Sequence, residues 1–272
     1  MEKFYGKINI IGIGPGALET MSGQSIAALT RSHTIVGYKR YLDLVRKNLP
    51  ELPQERFCDR GSNMMAEVER AKECVFLART TKQEVAIVSS GDAGVYGMAS
   101  LIFEVLRETK VQAEVAVEVI PGITAANSAA SLVGAPLGHD YANISLSDLL
   151  TPKEVILKRV EMAAAADFVL VFYNPASKKR RSLLVEAIAI IKKYREMETP
   201  VAIVSNAYRE SEESSLLTDL KQLAEHYHLI DMQTLVIVGA STTYRFEQFM
   251  VTPRGYHKKY ELHEEEGDGS HL

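Results

Sequence analysis

Lys7-Ile8-Asn9-Ile10-Ile11-Gly12-Ile13-Gly14-Pro15-Gly16 is an apolar, β-branched run that breaks directly into a glycine-rich loop. Residues 7–13 read as a strand, and similar short runs recur at 34–36, 85–88, 115–120, 143–146, 168–172, 201–204 and 235–238. Between them the hydrophobic period changes. Met64, Val68, Ala71, Val75 and Ala78 fall on one helix face, as do Leu183, Leu184, Ala187, Ile190, Ile191 and Tyr194. Strands alternating with helices need crossover connections, so the fold class is α/β with mostly parallel sheets.

The 272 residues carry 31 Lys and Arg against 35 Asp and Glu, a formal charge of −4, with 46% apolar and 24% charged residues. That balance fits a soluble globular protein and excludes low-complexity disorder or a collagen-like chain. The length allows one large domain or two small ones, each with its own core. Mild acidity argues against holding nucleic acid by bulk charge. No stretch approaches the roughly 18 consecutive apolar residues of a membrane span, and the N-terminus lacks the layout of a signal peptide. Cys58 and Cys74 offer no CxxC pair and predict no metal site, only reduced thiols in a cytosolic protein.

Thr151-Pro152-Lys153-Glu154 reads as a capping box, with an N-cap threonine, a first-turn proline and a glutamate at the third helical position. The polar stretch 109–114 marks a boundary, giving an N-terminal α/β domain at 1–113, a C-terminal one at 114–255 and a tail at 256–272, whose polar 263–270 reads as frayed.

Ligands of such sheets gather at the carboxyl ends of strands. The loop 12–16 lets the backbone turn sharply and approach a ligand closely. With Ala17 it fits the loose GxGxxA dinucleotide pattern, but Pro15 removes a backbone donor and Gly37-Tyr38-Lys39-Arg40 supplies no acid after the second strand. Ser89-Ser90-Gly91-Asp92-Ala93-Gly94-Val95-Tyr96-Gly97 suits close backbone contact plus a carboxylate for a ribose or cation, or equally a tight turn capped by Asp92. Ile120-Pro121-Gly122-Ile123-Thr124-Ala125 ends a strand and opens a small-residue helix, whose free N–H groups suit a ligand and whose small side chains suit close packing. Phe172-Tyr173-Asn174-Pro175 and Ser205-Asn206-Ala207-Tyr208 also follow strands, where asparagine can cap a turn.

Taken in order, these loops, with Gln233-Thr234-Leu235-Val236-Ile237-Val238-Gly239, resemble those of the tetrapyrrole methylases over residues 7–255. Gly134-Ala135-Pro136-Leu137-Gly138-His139-Asp140-Tyr141, then Ile144-Ser145-Leu146-Ser147-Asp148-Leu149-Leu150-Thr151-Pro152, are similar to the C17-methylating branch of cobalamin (vitamin B12) biosynthesis. Asp167-Phe168 and Tyr173-Asn174-Pro175-Ala176-Ser177-Lys178 match the same branch. The resemblance implies a class III S-adenosylmethionine-dependent methyltransferase with two α/β domains and the cofactor in the cleft between them. The implied substrate is a modified tetrapyrrole, precorrin-3B or cobalt-factor III, methylated at C17 with ring contraction. A cytoplasmic homodimer is implied too, with no nucleic acid, membrane or protein-bound metal. Another tetrapyrrole or RNA is the alternative substrate.

By position, the resemblance places cofactor contacts on Pro15, Gly91, Asp92, Ala93, Tyr96, Thr124, Ala125, Tyr173, Asn174, Ala207 and Thr234. Ala17, Tyr38-Lys39 and Lys153 depart from the family pattern. Ring contraction needs proton movement, and His139, Asp140, Ser145 and Asp148 in the diagnostic segment can supply it, or can serve as turn and cap residues. Lys178-Lys179-Arg180-Arg181, or Lys39 and Arg40, are candidate partners for substrate carboxylates.

Overall fold

The computed structural model describes residues 5–59, 66–176 and 182–262. Met64, Ser177, Lys178-Lys179-Arg180-Arg181 and the segment 263–270 therefore lie outside the described residues. Strands β1 (Gly6–Gly12), β2 (Thr34–Val36), β3 (Phe57–Cys58), β4 (Glu84–Ser89) and β5 (Val115–Ile120) form one sheet in the order β3-β2-β4-β1-β5, every pair parallel. Side chains alternate along a strand, so Ile8 and Ile10 enter one core with Cys74, Ile87 and Ile102, while Ile11 enters another with Leu29, Leu42 and Val88. A strand apolar on both faces belongs in the interior of a parallel sheet, and β1 lies there, between β4 and β5. Helices α1 (Gly23–Arg31) and α2 (Lys39–Asn48) cover one face, α3 (Glu67–Thr81) and α4 (Met98–Thr109) the other. Burial among apolar neighbours pushes the Cys74 thiol pKa up.

Asn9 is a fully buried polar side chain in the middle of β1. Its amide donates to Ser32 Oγ at 3.1 Å and to Glu84 Oε2 at 2.9 Å. Arg31 bonds Glu84 at 2.8 Å and Glu118 at 3.1 Å, and Lys7 meets Glu118 at 2.6 Å. Burial pushes the Glu84 carboxyl up, yet hydrogen bonds from Asn9 and Arg31 outweigh it and hold the pKa below the usual range. The Lys7 hydrogen bond does the same for Glu118.

The chain divides into two compact units, residues 1–129 with 205–214, and residues 130–204 with 215–272. A boundary at 113/114 would cut β5 away from β1, with which it shares six register pairs. The polar stretch 109–114 is instead an ordinary helix–strand connection, closed by Lys110 in the left-handed region at φ 57°; a polar loop and a domain linker look alike in composition.

The second unit holds β6 (Gly134–Ala135), β7 (Tyr141–Ser145), β8 (Val169–Tyr173), β9 (Pro200–Ser205), β10 (Ser214–Asp219), β11 (Thr234–Val238), β12 (Tyr244–Phe246) and β13 (Phe249–Val251). Its main sheet has the order β10-β9-β11-β8-β7, and β6 joins the β12–β13 hairpin in a small third sheet. β7 and β8 are parallel, but β11 runs antiparallel to β8, so this sheet is mixed. Phe172 and Leu170 pack against α6 (Lys153–Ala165) and α7 (Ser182–Ile191) through Ile156, Val160, Ala187 and Ile188. The capping box at 151–154 does not form. Pro152 itself is the N-cap, at φ −55° and ψ 139°, and its carbonyl accepts the Val155 and Ile156 amides. A helix that starts one residue late leaves Thr151 outside it. Tyr194 likewise lies beyond α7, in a tighter turn where its amide bonds Ile191 O.

Arg195, its side chain 2% exposed, donates to the carbonyls of Ala164, Phe168 and Gly239 and pairs with Asp167 at 3.0 Å. It thereby closes the carboxyl end of α6, where orphan carbonyls need donors. Among the described residues no helix is long and apolar enough to cross a membrane.

The network around Asn9 makes stability pH-dependent. Glu84 and Glu118 have folded pKa values below their unfolded ones. Their stabilisation is complete above the ordinary glutamate value of about 4.3 and is lost as pH falls through the folded values. Urea midpoints measured from about pH 6 down to about pH 3 are expected to drop less steeply in Glu84→Gln than in the unaltered protein. Parallel curves would reject this source.

Candidate functional site

The carboxyl ends of β1, β4 and β5 meet backbone to backbone. Gly14 and Gly91 exchange both hydrogen bonds, at 3.0 and 2.7 Å, in an isolated antiparallel bridge. Both sit in the left-handed region, at φ 68° and 69°, where a side chain is strained. A Cβ on Gly12 would lie 2.7 Å from Gly122 N and from Gly91 O, and one on Gly122 would strike Gly91 O and Gly12 C. Asp92 ties the same turns together, its Oδ1 accepting Gly94 N at 2.8 Å and its Oδ2 accepting Gly122 N at 2.9 Å. Asp92 is thus neither a helix cap nor a free carboxylate; Ser89 Oγ, accepting Met98 N at 3.1 Å, serves the start of α4.

Around this junction lie most of the first unit's candidates. Pro15 and Gly91 belong to the bridged turns. Thr124 and Ala125 open α5 (Ala125–Val133), with Thr124 O accepting both the amide and the hydroxyl of Ser128. Tyr96 is 55% exposed with φ 53°. Ala93 is fully buried in the core and offers no open surface. Ala207 is half-buried on the strap 205–214.

Arg209 was not singled out by sequence. Its Nε donates to Pro15 O at 2.9 Å, its Nη2 to Ser90 Oγ at 3.0 Å, and its Nη1 lies 3.5 Å from Asn206 Oδ1. One guanidinium therefore connects three of the candidate loops. Burial lowers its pKa, and the neighbouring Arg40 charge lowers it further. Beside it opens a cavity of about 700 Å³, walled by the 16–19 turn, by Arg40, Leu44 and Lys47 of α2, and by the strap. The one sequence signal for Arg209 was adjacency to the loop 205–208.

In the second unit, Ser145, Tyr173 and Asn174 come together at the carboxyl ends of β7 and β8. Asn174 Nδ2 donates to Ser145 Oγ at 3.1 Å, and Leu146 N donates to Tyr173 O at 2.9 Å. Asn174 has φ 51°, a conformation asparagine tolerates better than most residues. Because β11 is antiparallel to β8 with Val236 opposite Phe172, the register continued two residues brings Thr234 level with Asn174. The start of one strand thus joins the ends of two others. Thr234 Oγ1 is occupied within its own turn, donating to Asp231 Oδ1 at 3.0 Å and accepting Asp231 N at 3.1 Å.

His139 and Asp140 lie at the other end of β7, where Asp140 O accepts the Val169 amide. At about 3.3 Å per residue, Ser145 is on the order of 16 Å further along. The four proton-transfer candidates therefore do not form one constellation. His139 Nδ1 accepts Asp140 N at 2.7 Å, and an Asp140 carboxylate oxygen lies 3.3 Å from it. Asp148 is exposed, just beyond the β7 end that carries Ser145.

The family model of the tetrapyrrole (corrin/porphyrin) methylases matches residues 7–224. The chain is 48% identical over 263 residues to the cobalt-factor III methyltransferase of Priestia megaterium, covering 96% of this chain and 47% of that protein, so it spans about half of that relative's length. It is 43% identical to a Salmonella typhimurium protein named "Probable cobalt-factor III C(17)-methyltransferase", covering 92% of this chain and 99% of that one. The crystal structure of the methyltransferase CobJ superposes with a TM-score of 0.83 at 32% identity, covering 91% of this chain and all of that one (100%).

The glycine junction is open to a direct test. Gly122→Ala is expected to destabilise the protein by about 1–3 kcal/mol, because the added carbon has only backbone to push against. Gly23→Ala, with nothing within 4 Å of its new carbon, is expected to be neutral or stabilising by up to about 1 kcal/mol at the start of α1. Thermal unfolding of the two variants checks this; equal midpoints would refute the steric account.

Proposed function

From the premise that this chain belongs to the tetrapyrrole methylase family, we propose that it transfers a methyl group from S-adenosylmethionine to C17 of cobalt-factor III, with contraction of the macrocycle, in cobalamin biosynthesis. The observation that carries this reading is the end-to-end match to the Salmonella typhimurium relative, 43% identical over 92% of this chain and 99% of that one. Metal-free precorrin-3B is the corresponding substrate if cobalt is absent; the cobalt would arrive inside the macrocycle, as substrate. The proposal extends to a cytoplasmic homodimer, which size-exclusion chromatography with light scattering addresses.

S-adenosylmethionine, when bound, supplies an electrophilic methyl group to an electron-rich pyrrole carbon. Such a transfer depends on alignment and exclusion of water more than on strong acids or bases. The residues fit that demand. Backbone-only turns at 12–16, 91–94 and 121–124 let a ligand lie against peptide groups, and the Asp92 carboxylate keeps acceptor capacity beyond its two amide bonds. On this reading Pro15, Gly91, Asp92, Tyr96, Thr124, Ala125, Ala207, Tyr173 and Asn174 would hold the cofactor. Ala93 and Thr234, both buried, would support the cofactor-holding turns of their own units. Ring contraction requires a proton to move, and we assign this role to Ser145, bonded to Asn174 at the carboxyl ends of β7 and β8, rather than to His139 at the far end of β7.

Calorimetric titration with S-adenosylhomocysteine, then anaerobic incubation with cobalt-factor III and S-adenosylmethionine, tests the proposal. Binding and a product heavier by one methyl group are expected; absence of binding would overturn the cofactor assignment, and binding without product the substrate. Ser145→Ala is expected to slow turnover at least about tenfold, and His139→Ala to stay within about threefold. The reverse order would restore the histidine as the proton carrier.

A further inference from the structure

The cavity beside the 16–19 turn carries cations that are already holding carboxylates. Arg40 Nη2 meets Glu212 Oε2 at 2.7 Å, and Lys47 Nζ meets Glu210 Oε1 at 2.7 Å. Arg40 and Lys47 sit on α2, whereas both glutamates come from the strap. The other acid that α2 turns toward the cavity, Asp43, is engaged by Lys39 at 2.9 Å and Arg46 at 2.8 Å. Glu19 also lines the space. Deeper in, the guanidinium of Arg209 bonds, among the described residues, the neutral oxygens of Pro15, Ser90 and Asn206, and shares the Asn206 oxygen with Arg40. Two guanidinium groups thus converge near one carboxylate.

The strap that brings the glutamates is strained. Asn206, Tyr208 and Glu210 have φ values of 49°, 57° and 49°, and of these only asparagine adopts the left-handed region readily. Within the strap Tyr208 N donates to Glu213 Oε2 at 2.6 Å, while its outer end is tied to α2 by a pair of partly exposed ion contacts, with side-chain exposures of 33% and 57% for Arg40–Glu212 and 59% and 71% for Lys47–Glu210. Contacts of that kind contribute little to stability and exchange readily. A strained segment held by exchangeable carboxylates is suited to being displaced by other carboxylates.

We infer that Arg40 and Lys47 are anchors for carboxylates on the rim of the tetrapyrrole substrate, and that Glu212 and Glu210 are internal stand-ins that occupy these anchors until the substrate takes their place. The inference rests on the function proposed above. Exchange of one carboxylate for another preserves the hydrogen bonds and the charge at each cation, so the anchors remain paired throughout. Release of the strap's outer end then relieves the backbone strain at Glu210, while Arg209 keeps its bonds to Pro15 and Ser90. A macrocycle lacking rim carboxylates has nothing to exchange, so the same device rejects it.

The decisive experiment breaks the same ion pair from its two sides. The full chain is titrated anaerobically with cobalt-factor III, followed by visible absorption, as unaltered protein, Arg40→Gln and Glu212→Gln, with Lys47→Gln and Glu210→Gln as the second pair. Thermal midpoints of the two partners should fall alike, because each loses the same contact. Substrate affinity should move in opposite directions: Kd rises about tenfold in Arg40→Gln, which loses the anchor, and falls about threefold or more in Glu212→Gln, which loses the competitor. A pair that merely holds the strap in place would weaken binding from both sides, and that result, or no change in either, overturns the inference alone. If Arg40→Gln does not fold, Arg40→Lys with Glu212→Gln gives the same comparison. Failure of the unaltered protein to bind cobalt-factor III overturns the proposed substrate, and the anchors with it.

Discussion

Contact between peptide backbones at Gly12, Gly14, Gly91 and Gly122 is the constraint on which the first unit depends. Three parallel strands deliver their carboxyl ends to one place, and at Gly12 and Gly122 nothing larger than hydrogen fits between them. The turns are therefore braced against one another, with Asp92 and Arg209 as the side chains that bind the assembly laterally. A surface made this way presents peptide groups at fixed positions before any ligand arrives, which is the preorganisation a positioning catalyst needs. The second unit has a looser solution. Its edge relies on side-chain contacts such as Asn174–Ser145 and on an antiparallel strand whose beginning lies where its neighbours end.

Much of the scaffold was legible because the central strands are apolar on both faces. β1, β2 and β5 stand where their β-branched runs placed them, within a residue at either end. β3 and β6 are two residues long, and β10, Ser214–Asp219, is half-exposed and half-polar; their pairing is dictated by tertiary neighbours, which no local pattern records. The direction of β11 was equally hidden, since a buried run reads the same whichever way it is laid against its partner.

The loops of the candidate site were legible as a set, and their wiring was not. Asp92 could be read as cap or ligand; its two amide partners lie on its own turn and on one thirty residues away. Arg209 bonds Pro15 across 194 residues of sequence, and a long-range hydrogen bond leaves no periodicity. His139, Asp140, Ser145 and Asp148 looked like one group because they are close in sequence. An extended strand separates close neighbours quickly, so the same ten residues supply both ends of a sheet.

The strap has a consequence for how the polypeptide is made. The first unit is completed by residues 205–214, which leave the ribosome only after β6, β7, β8 and the helices between them have been synthesised. A nascent chain that has released all five strands of the first sheet still lacks Arg209 and the strap that completes the cavity wall. At translation rates of about 5–20 residues per second, its glycine turns spend several seconds without their guanidinium brace. Co-translational assembly of this protein is thus obligatorily interleaved, and no N-terminal fragment ending at the unit boundary can contain a finished first unit.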